Sequence, residues 1–204
     1  MQDLIRLRIG NKNGGAPPRG DADLNPHVAD MRVDEVELRP AAVLIPIVDR
    51  PQGLTVLLTQ RTDHLDHHPG QVSFPGGRIE EHDADEIEAA LRETEEEIGL
   101  DRSFVEVIGH LDQYRTGTGF DVTPIVGLVR EGFTLQLDSF EVAKSFEVTL
   151  DFVLDPTNHK RESKFWRGEM RHYYVFPHDE YFIWGATAGM LVNLYDRLQD
   201  EASS

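Results

Sequence analysis

One segment constrains this chain more than any other: Gly76-Gly77-Arg78-Ile79-Glu80-Glu81-His82-Asp83, continuing through residues 84–98 and closing on Gly99-Leu100. A Gly-Gly turn opens it and a glycine suited to a helix C-cap ends it, which predicts a helix over 84–98. Ile87, Ala90, Leu91, Thr94 and Ile98 recur at steps of three and four, forming one face able to pack on a sheet. Glu93, Glu96 and Glu97 stand at i, i+3 and i+4, so their carboxylates gather on a different face. Glu86 lies more than one turn earlier on nearly the same line. Like charges crowded on one helix face repel and destabilise it. Hard cations such as Mg2+ and Mn2+ prefer oxygen ligands and would relieve that repulsion. The competing reading is a solvated acidic face, which suits an isolated Glu-rich helix. The glycine cap, the Gly-Gly loop and the adjacent Arg92 favour a metal site.

The surroundings of this helix alternate between strand and helix patterns. Residues 41–48 form an apolar run expected as a buried strand, and 54–59 a second strand, joined by a turn over 49–53. Further strands are expected at 105–113, 123–129, 133–137, 146–152 and 173–177. Trp184, Ala188, Leu191, Tyr195 and Leu198 fall at steps of four, three, four and three, the spacing of an amphipathic helix with a core-facing stripe. Residues 1–36 read as an N-terminal arm, with a Gly/Asn/Pro-rich loop over 10–20 and a helix around 27–33; residues 37–200 read as the main domain. Strands and helices in irregular order predict an α/β (α+β) fold, a mixed sheet covered by helices on both faces.

Charge narrows the ligands. At 204 residues and a net charge of −17, the surface opposes polyphosphate backbones, which argues against nucleic-acid binding. A small phosphorylated ligand remains compatible where metal ions offset the local charge. With no cysteine, disulfides, thiolate metal sites and cysteine nucleophiles are excluded. Asp3, Arg6 and Arg8 interrupt the apolar residues of the first ten positions, and the run at 41–48 is too short to span a bilayer. The expectation is a cytoplasmic protein without a membrane partner.

Residues 92–100, Arg-Glu-Thr-Glu-Glu-Glu-Ile-Gly-Leu, resemble the core of the Nudix box, R-E-U-x-E-E-x-G-U, with Thr94 at the apolar position. The resemblance implies a Nudix-type α/β/α sandwich in which Glu93 and Glu97 ligate a divalent ion, Mg2+ or Mn2+. It implies that Glu96 is a further metal ligand or the base that activates water, and that Arg92 orients a glutamate through a salt bridge. The box also has a glutamate upstream. Here Gly77 is followed after five residues by Asp83, and eight residues, one more than in the box, then precede Arg92. That departure resembles the coenzyme A pyrophosphatase branch of the family and weakens any role for an acid at this upstream position.

Residues 57–77 resemble a second signature, that of the coenzyme A pyrophosphatase branch, through Arg61, His64, His68, Gly70, Gln71, Phe74, Pro75, Gly76 and Gly77. Thr62 stands for a serine, and Asp66 stands where that branch has a basic residue. Residues 122–127 and 181–188 also resemble the branch. The implied reaction is cleavage of coenzyme A or its thioesters into 3',5'-ADP and 4'-phosphopantetheine or its acyl derivative. Asp66 keeps open a broader range that includes ADP-ribose or dinucleoside polyphosphates. A nucleotide-binding sensor is the reading from another class, and the intact Glu93, Glu96 and Glu97 set argues against it.

Among the remaining candidates, Arg61 either clamps a substrate phosphate or caps a strand end. Gly76 and Gly77 form a backbone turn that also admits the diphosphate closely. His64, His67 and His68 lack a cysteine or fourth ligand and read as loop residues rather than a zinc site. Phe74 and Pro75 read as turn packing, and Glu141 as either an extra base or ligand or a surface charge. The family often forms dimers, so a homodimer is a candidate assembly.

Overall fold

The computed structural model describes residues 1–10, 17–28, 38–65, 68–166 and 168–199. In chain order the main elements are α1 (Gln2–Gly10), β1 (Arg19–Gly20), β2 (Arg39–Arg50), β3 (Gly53–Arg61), β4 (Val72–Ser73), β5 (Gly76–Arg78) and α2 (Glu86–Ile98). They continue with β6 (Val105–His110), β7 (Tyr114–Arg115), β8 (Phe120–Val129), β9 (Val142–Thr149) and α3 (Leu150–Leu154). Last come β10 (Lys160–Trp166), β11 (Glu169–His178), β12 (Tyr181–Trp184) and α4 (Gly185–Gln199).

The apolar run at 41–48 is continuous because β2 is covered on both faces. Ala42, Leu44 and Val48 pack with Leu57, Ala89, Ala90 and Ile98 beneath α2. Ala41, Ile45 and Ile47 pack with Ile5, Ile9, Val56, Leu58, Leu191 and Leu194 beneath α1 and α4. The strand is parallel to β8 along one edge, from Arg39↔Phe120 to Val48↔Val129. Its other edge is shared: β3 pairs antiparallel at residues 47–50, and β5 takes positions 41–43. β3 continues to β9 and β4, while β8 carries β6 and β7, and β7 carries β1. Among the described residues this makes one mixed sheet of nine strands between helical layers, with β10–β11–β12 a separate antiparallel sheet. Among those residues no helix is long and apolar enough to cross a membrane.

Most expected elements appear, with four differences that have local causes. Residues 133–137 are not a strand. Phe133, Leu135 and Leu137 pack on the α2 side of the core, and their backbone serves the helix end instead: Gln136 N–H donates to Ile98 O (2.8 Å) and Asp138 N–H to Glu97 O (2.9 Å). The strand expected at 146–152 ends at Thr149, whose hydroxyl caps α3 by accepting Phe152 N–H (3.2 Å). The strand expected at 105–113 stops at His110, although Leu111 N–H still donates to Pro124 O (2.9 Å). Trp184 closes β12 and is 37% exposed, so it does not belong to the buried stripe of Ala188, Leu191 and Leu198. Of the helix expected around 27–33, residues 29–33 lie outside the described residues, as does most of the 10–20 loop; residues 26 and 27 form a turn, and Val28 is buried.

Residues of the first segment join the main body. Ile5 and Ile9 are fully buried, and Tyr114 donates its hydroxyl to Asp21 Oδ1 (2.8 Å). The Tyr114 ring lies on Gly189 of α4, where an added Cβ would stand 2.6 Å from Oη and 2.8 Å from Cζ. Gly189→Ala therefore overpacks this contact and is expected to cost about 1–3 kcal/mol, read as a lower midpoint in urea at unchanged m. An unchanged midpoint would mean that the ring moves aside freely.

Candidate active site

Helix α2 begins where its cap places it. Asp85 accepts Glu88 N–H (2.8 Å) as N-cap, so the helix starts at Glu86 rather than at residue 84, after the turn at 81–85. At the other end Gly99 adopts φ +66° and its N–H returns to Glu95 O (2.9 Å), the left-handed cap that the sequence predicts. Ala89, Ala90, Thr94 and Ile98 are buried against the sheet. That orientation carries Glu93 and Glu97 toward β5.

Glu97 is the unusual group. It is 6% exposed, accepts Gly76 N–H at Oε2 (3.1 Å), and has Arg61 Nη1 3.7 Å from Oε1. Burial pushes its carboxyl up to about 8, against the opposing pull of the Gly76 hydrogen bond and Arg61, with Glu141 and Glu93 adding to the rise. Glu93 also rises above the ordinary carboxylate range, first through burial, while Arg92 opposes the rise and Glu96 and Glu141 reinforce it. Glu93 lies directly over Gly77, where a Cβ would come within 2.6 Å of both its carboxylate oxygens. Gly76 stands at φ +146°, and a Cβ there would collide with Ala42 O and Val43 Cα. Both glycines are thus required by close approach, one to the β2 backbone and one to the helix carboxylate.

Arg92 organises the outer half of the cluster. Its Nη1 donates to Glu93 Oε1 (3.0 Å) and Glu96 Oε2 (3.1 Å). Its other contacts are the larger surprise: Nε and Nη2 form a fork on Asp83 Oδ1 (2.8 Å) and Oδ2 (2.9 Å), and Nη2 also reaches Arg78 O (3.2 Å). The Arg92 hydrogen bonds, with one from Glu80 N–H, hold the Asp83 carboxyl well below the usual range. Asp83 is therefore built into the site, contrary to what its extra residue of spacing suggests. The turn at 81–85 absorbs the insertion before the Asp85 cap, leaving the Asp83 carboxylate opposite the guanidinium. The sequence carried the signal, an acid upstream of Arg92, but not the loop geometry.

Glu141 comes from the opposite side. The 138–142 loop is held to the helix end by Asp138 N–H on Glu97 O, and to the residue after β3 by Thr62 N–H on Glu141 O (3.0 Å) and Thr62 Oγ1 on Phe140 O (2.8 Å). Arg61 sits at a register shift where β3 meets β9, which aims it at Glu97. Of the histidines, His64 packs edge-on to Phe140 with centroids 4.9 Å apart, and His68 Nδ1 bonds Gln71 Oε1 (2.8 Å). Neither reaches the carboxylates, in keeping with loop roles. Phe74 is buried and Pro75 O accepts Leu44 N–H (2.9 Å), which makes this pair turn packing. Asp66 and His67 lie outside the described residues. Glu86 is the first residue of α2, remote from the cluster.

Among the described residues no three carboxylate or imidazole groups already converge as a metal cage. Glu93 and Glu96 turn to Arg92, and Glu97 to Gly76 and Arg61. The donor set nevertheless fits a hard cation. It is all oxygen, and buried Glu97 and half-buried Glu93 are both raised by desolvation and by neighbouring carboxylates, the mark of a site short of positive charge.

The model of the NUDIX domain matches residues 38–181. A protein of Escherichia coli described as "Uncharacterized Nudix hydrolase NudL" is 45% identical over 157 residues, covering 76% of this chain and 81% of that protein. A Shigella boydii protein of the same description has the same identity and coverage. Among solved structures, a MutT/nudix family protein from Enterococcus faecalis is similar at TM-score 0.52 and 15% identity, over 82% of this chain and 64% of that one.

Proposed function

This chain belongs to the Nudix hydrolase family and is a diphosphate hydrolase, and from that premise we propose that it cleaves coenzyme A or its thioesters. The products are 3',5'-ADP and 4'-phosphopantetheine or its acyl derivative. One observation carries the reading: two residues of the segment that resembles the coenzyme A signature, Arg61 and Gly76, are both directed at Glu97.

Glu93, Glu96 and Glu97 are the residues that would hold Mg2+ or Mn2+, with Glu141 facing them. Such an ion, once bound, neutralises diphosphate charge and acidifies the attacking water. Arg61, beside Glu97, would take a phosphoryl oxygen. Gly76 and Gly77 present bare backbone for a close approach. Arg92 orients Glu93 and Glu96, and Asp83 orients Arg92. Glu96, whose side chain is 60% exposed, is the candidate acceptor of the water proton. The water oxygen attacks one phosphorus in line, the phosphoanhydride P–O bond breaks, and the second phosphate leaves with no covalent enzyme intermediate.

A broader range remains the second reading, favoured by Asp66 where the branch has a cation. Chromatographic separation of products from coenzyme A, dephospho-coenzyme A, ADP-ribose and a dinucleoside polyphosphate tests both. Coenzyme A with the highest kcat/KM supports the first reading; equal values across the panel support the second. No turnover of any member with bound nucleotide detected by calorimetry would point to a sensor. Excess EDTA is expected to abolish turnover, Mg2+ or Mn2+ to restore it and Zn2+ to restore it poorly, because the ligands are oxygens. Full activity in EDTA would show that the reaction needs no metal.

A further inference from the structure

Among the described residues the strand β10, Lys160-Arg161-Glu162-Ser163-Lys164-Phe165-Trp166, pairs with β11 on one edge only, and it is exposed along its whole length. Its hydrogen-bonding phase follows from a neighbour. Ser163 lies opposite His172, and the His172 backbone is used away from β10: its N–H donates to Asn25 Oδ1 (2.6 Å) and its C=O accepts Asn25 Nδ2 (2.9 Å). In an antiparallel ladder, that makes Ser163 and His172 a non-hydrogen-bonded pair. The backbone groups of Arg161, Ser163 and Phe165 therefore point outward, to the open edge. An edge of this kind is a template for another strand unless something blunts it; β10 has neither proline nor bulge, and its only blunting device is the charge of Lys160, Arg161, Glu162 and Lys164, which opposes any register that sets like charges face to face.

We infer that this edge is a self-complementary docking surface for a second copy of the chain, joined antiparallel through β10 about a two-fold axis at Ser163. The register is selected by the sequence. Centred on Ser163, it sets Glu162 against Lys164 of the second copy, Arg161 against Phe165, and Lys160 against Trp166, each pair occurring twice. Opposite charges and cation–aromatic pairs on directly facing positions stabilise a ladder, whereas like charges there oppose it. It also makes Arg161, Ser163 and Phe165 the hydrogen-bonded positions, the same three whose backbone groups face outward. Phase and side-chain pairing thus agree on one register. An isologous contact of this kind closes on itself as a dimer. It also joins two patches that a solitary chain leaves open: Phe165 and Trp166 are 66% and 49% exposed. On a chain of net charge −17, β10 carries three basic residues and one acidic, so the meeting edges are not the acidic surface that holds copies apart.

The test is a charge swap in the full-length protein, read by sedimentation velocity and by amide hydrogen exchange. Wild type is expected to sediment as a dimer at micromolar concentration, with slowed exchange at Arg161, Ser163 and Phe165 relative to a dilute sample. Glu162→Lys and Lys164→Glu each place like charges opposite one another twice, and each should weaken the dimer more than tenfold. The double variant restores opposite charges and should recover the dimer. All variants should keep the far-ultraviolet dichroism and hydrolase activity of wild type, because β10 lies on a separate sheet from the glutamate cluster. A wild-type monomer at all concentrations overturns the inference. So does a dimer indifferent to both single changes, which would use another surface, and so does a double variant no tighter than the singles.

Discussion

Glu97→Gln is expected to reduce kcat by about a hundredfold or more, the loss typical of a group that stabilises the transition state, while the protein stays folded. The amide keeps the shape and can still accept Gly76 N–H, but it no longer supplies the charge that a divalent ion requires. Stability should move in the other direction. Glu97 titrates near 4.5 when unfolded and is pushed up to about 8 by burial in the folded chain. Between those values the unfolded state ionises while the folded state stays neutral, so the metal-free protein loses stability as pH rises through this window. Below it the contribution is complete, and above it the loss levels off. Each tenfold difference in proton affinity between the two states corresponds to about 1.4 kcal/mol. The glutamine variant lacks this decline and, in EDTA, should melt above wild type at about pH 8.5 and close to it at about pH 4.5. Thermal melts at both values check this. A melting temperature that falls with activity at both would make Glu97 a structural residue.

Gly77→Ala should act on the same chemistry from the other side. Its Cβ would enter the space of the Glu93 carboxylate, which is the end of a flexible side chain and can swing away. The backbone at Gly77 needs no unusual dihedral, so folding should survive and Glu93 should be displaced. A misplacement of about 1 Å in a reacting constellation can cost about a hundredfold in rate. The expected result is a fall in kcat of that order with a melting temperature near wild type. Gly76→Ala makes the internal comparison: there the clash is with β2 backbone at a positive φ, so that variant should lose stability first. If Gly77→Ala keeps full activity, Glu93 does not have to occupy its present position during turnover.

Much of this site was legible because its determinants are local. Glycine at 99, the apolar steps from Ile87 to Ile98 and the i, i+3, i+4 glutamates define a capped helix with two faces, and the helix forms that way. The two-sided burial of β2 was readable from its unbroken apolar run. What failed, or was left open as at Arg61, depended on tertiary geometry. The alternation at 133–137 describes packing on the helix but cannot tell that the backbone is spent on the carbonyls of Glu97 and Ile98. Arg61 reaches Glu97 only through the register shift where β3 meets β9. Asp83 meets Arg92 only because a turn takes up one extra residue. β10 shows no apolar alternation, since neither of its faces is buried, and so it gave no strand signal.

The proposed hydrolysis of the coenzyme A diphosphate by the glutamate cluster, with Arg61 and Gly76 directed at Glu97, can be measured directly. The full-length protein is incubated with coenzyme A and Mg2+ in 18O-labelled water, with ADP-ribose run in parallel, and the products are identified by mass spectrometry. The expected products are 3',5'-ADP and 4'-phosphopantetheine in equal amounts, one of the two carrying a single labelled oxygen. The expected kcat/KM is higher for coenzyme A than for ADP-ribose. Intact coenzyme A in a preparation that consumes ADP-ribose would contradict the coenzyme A assignment.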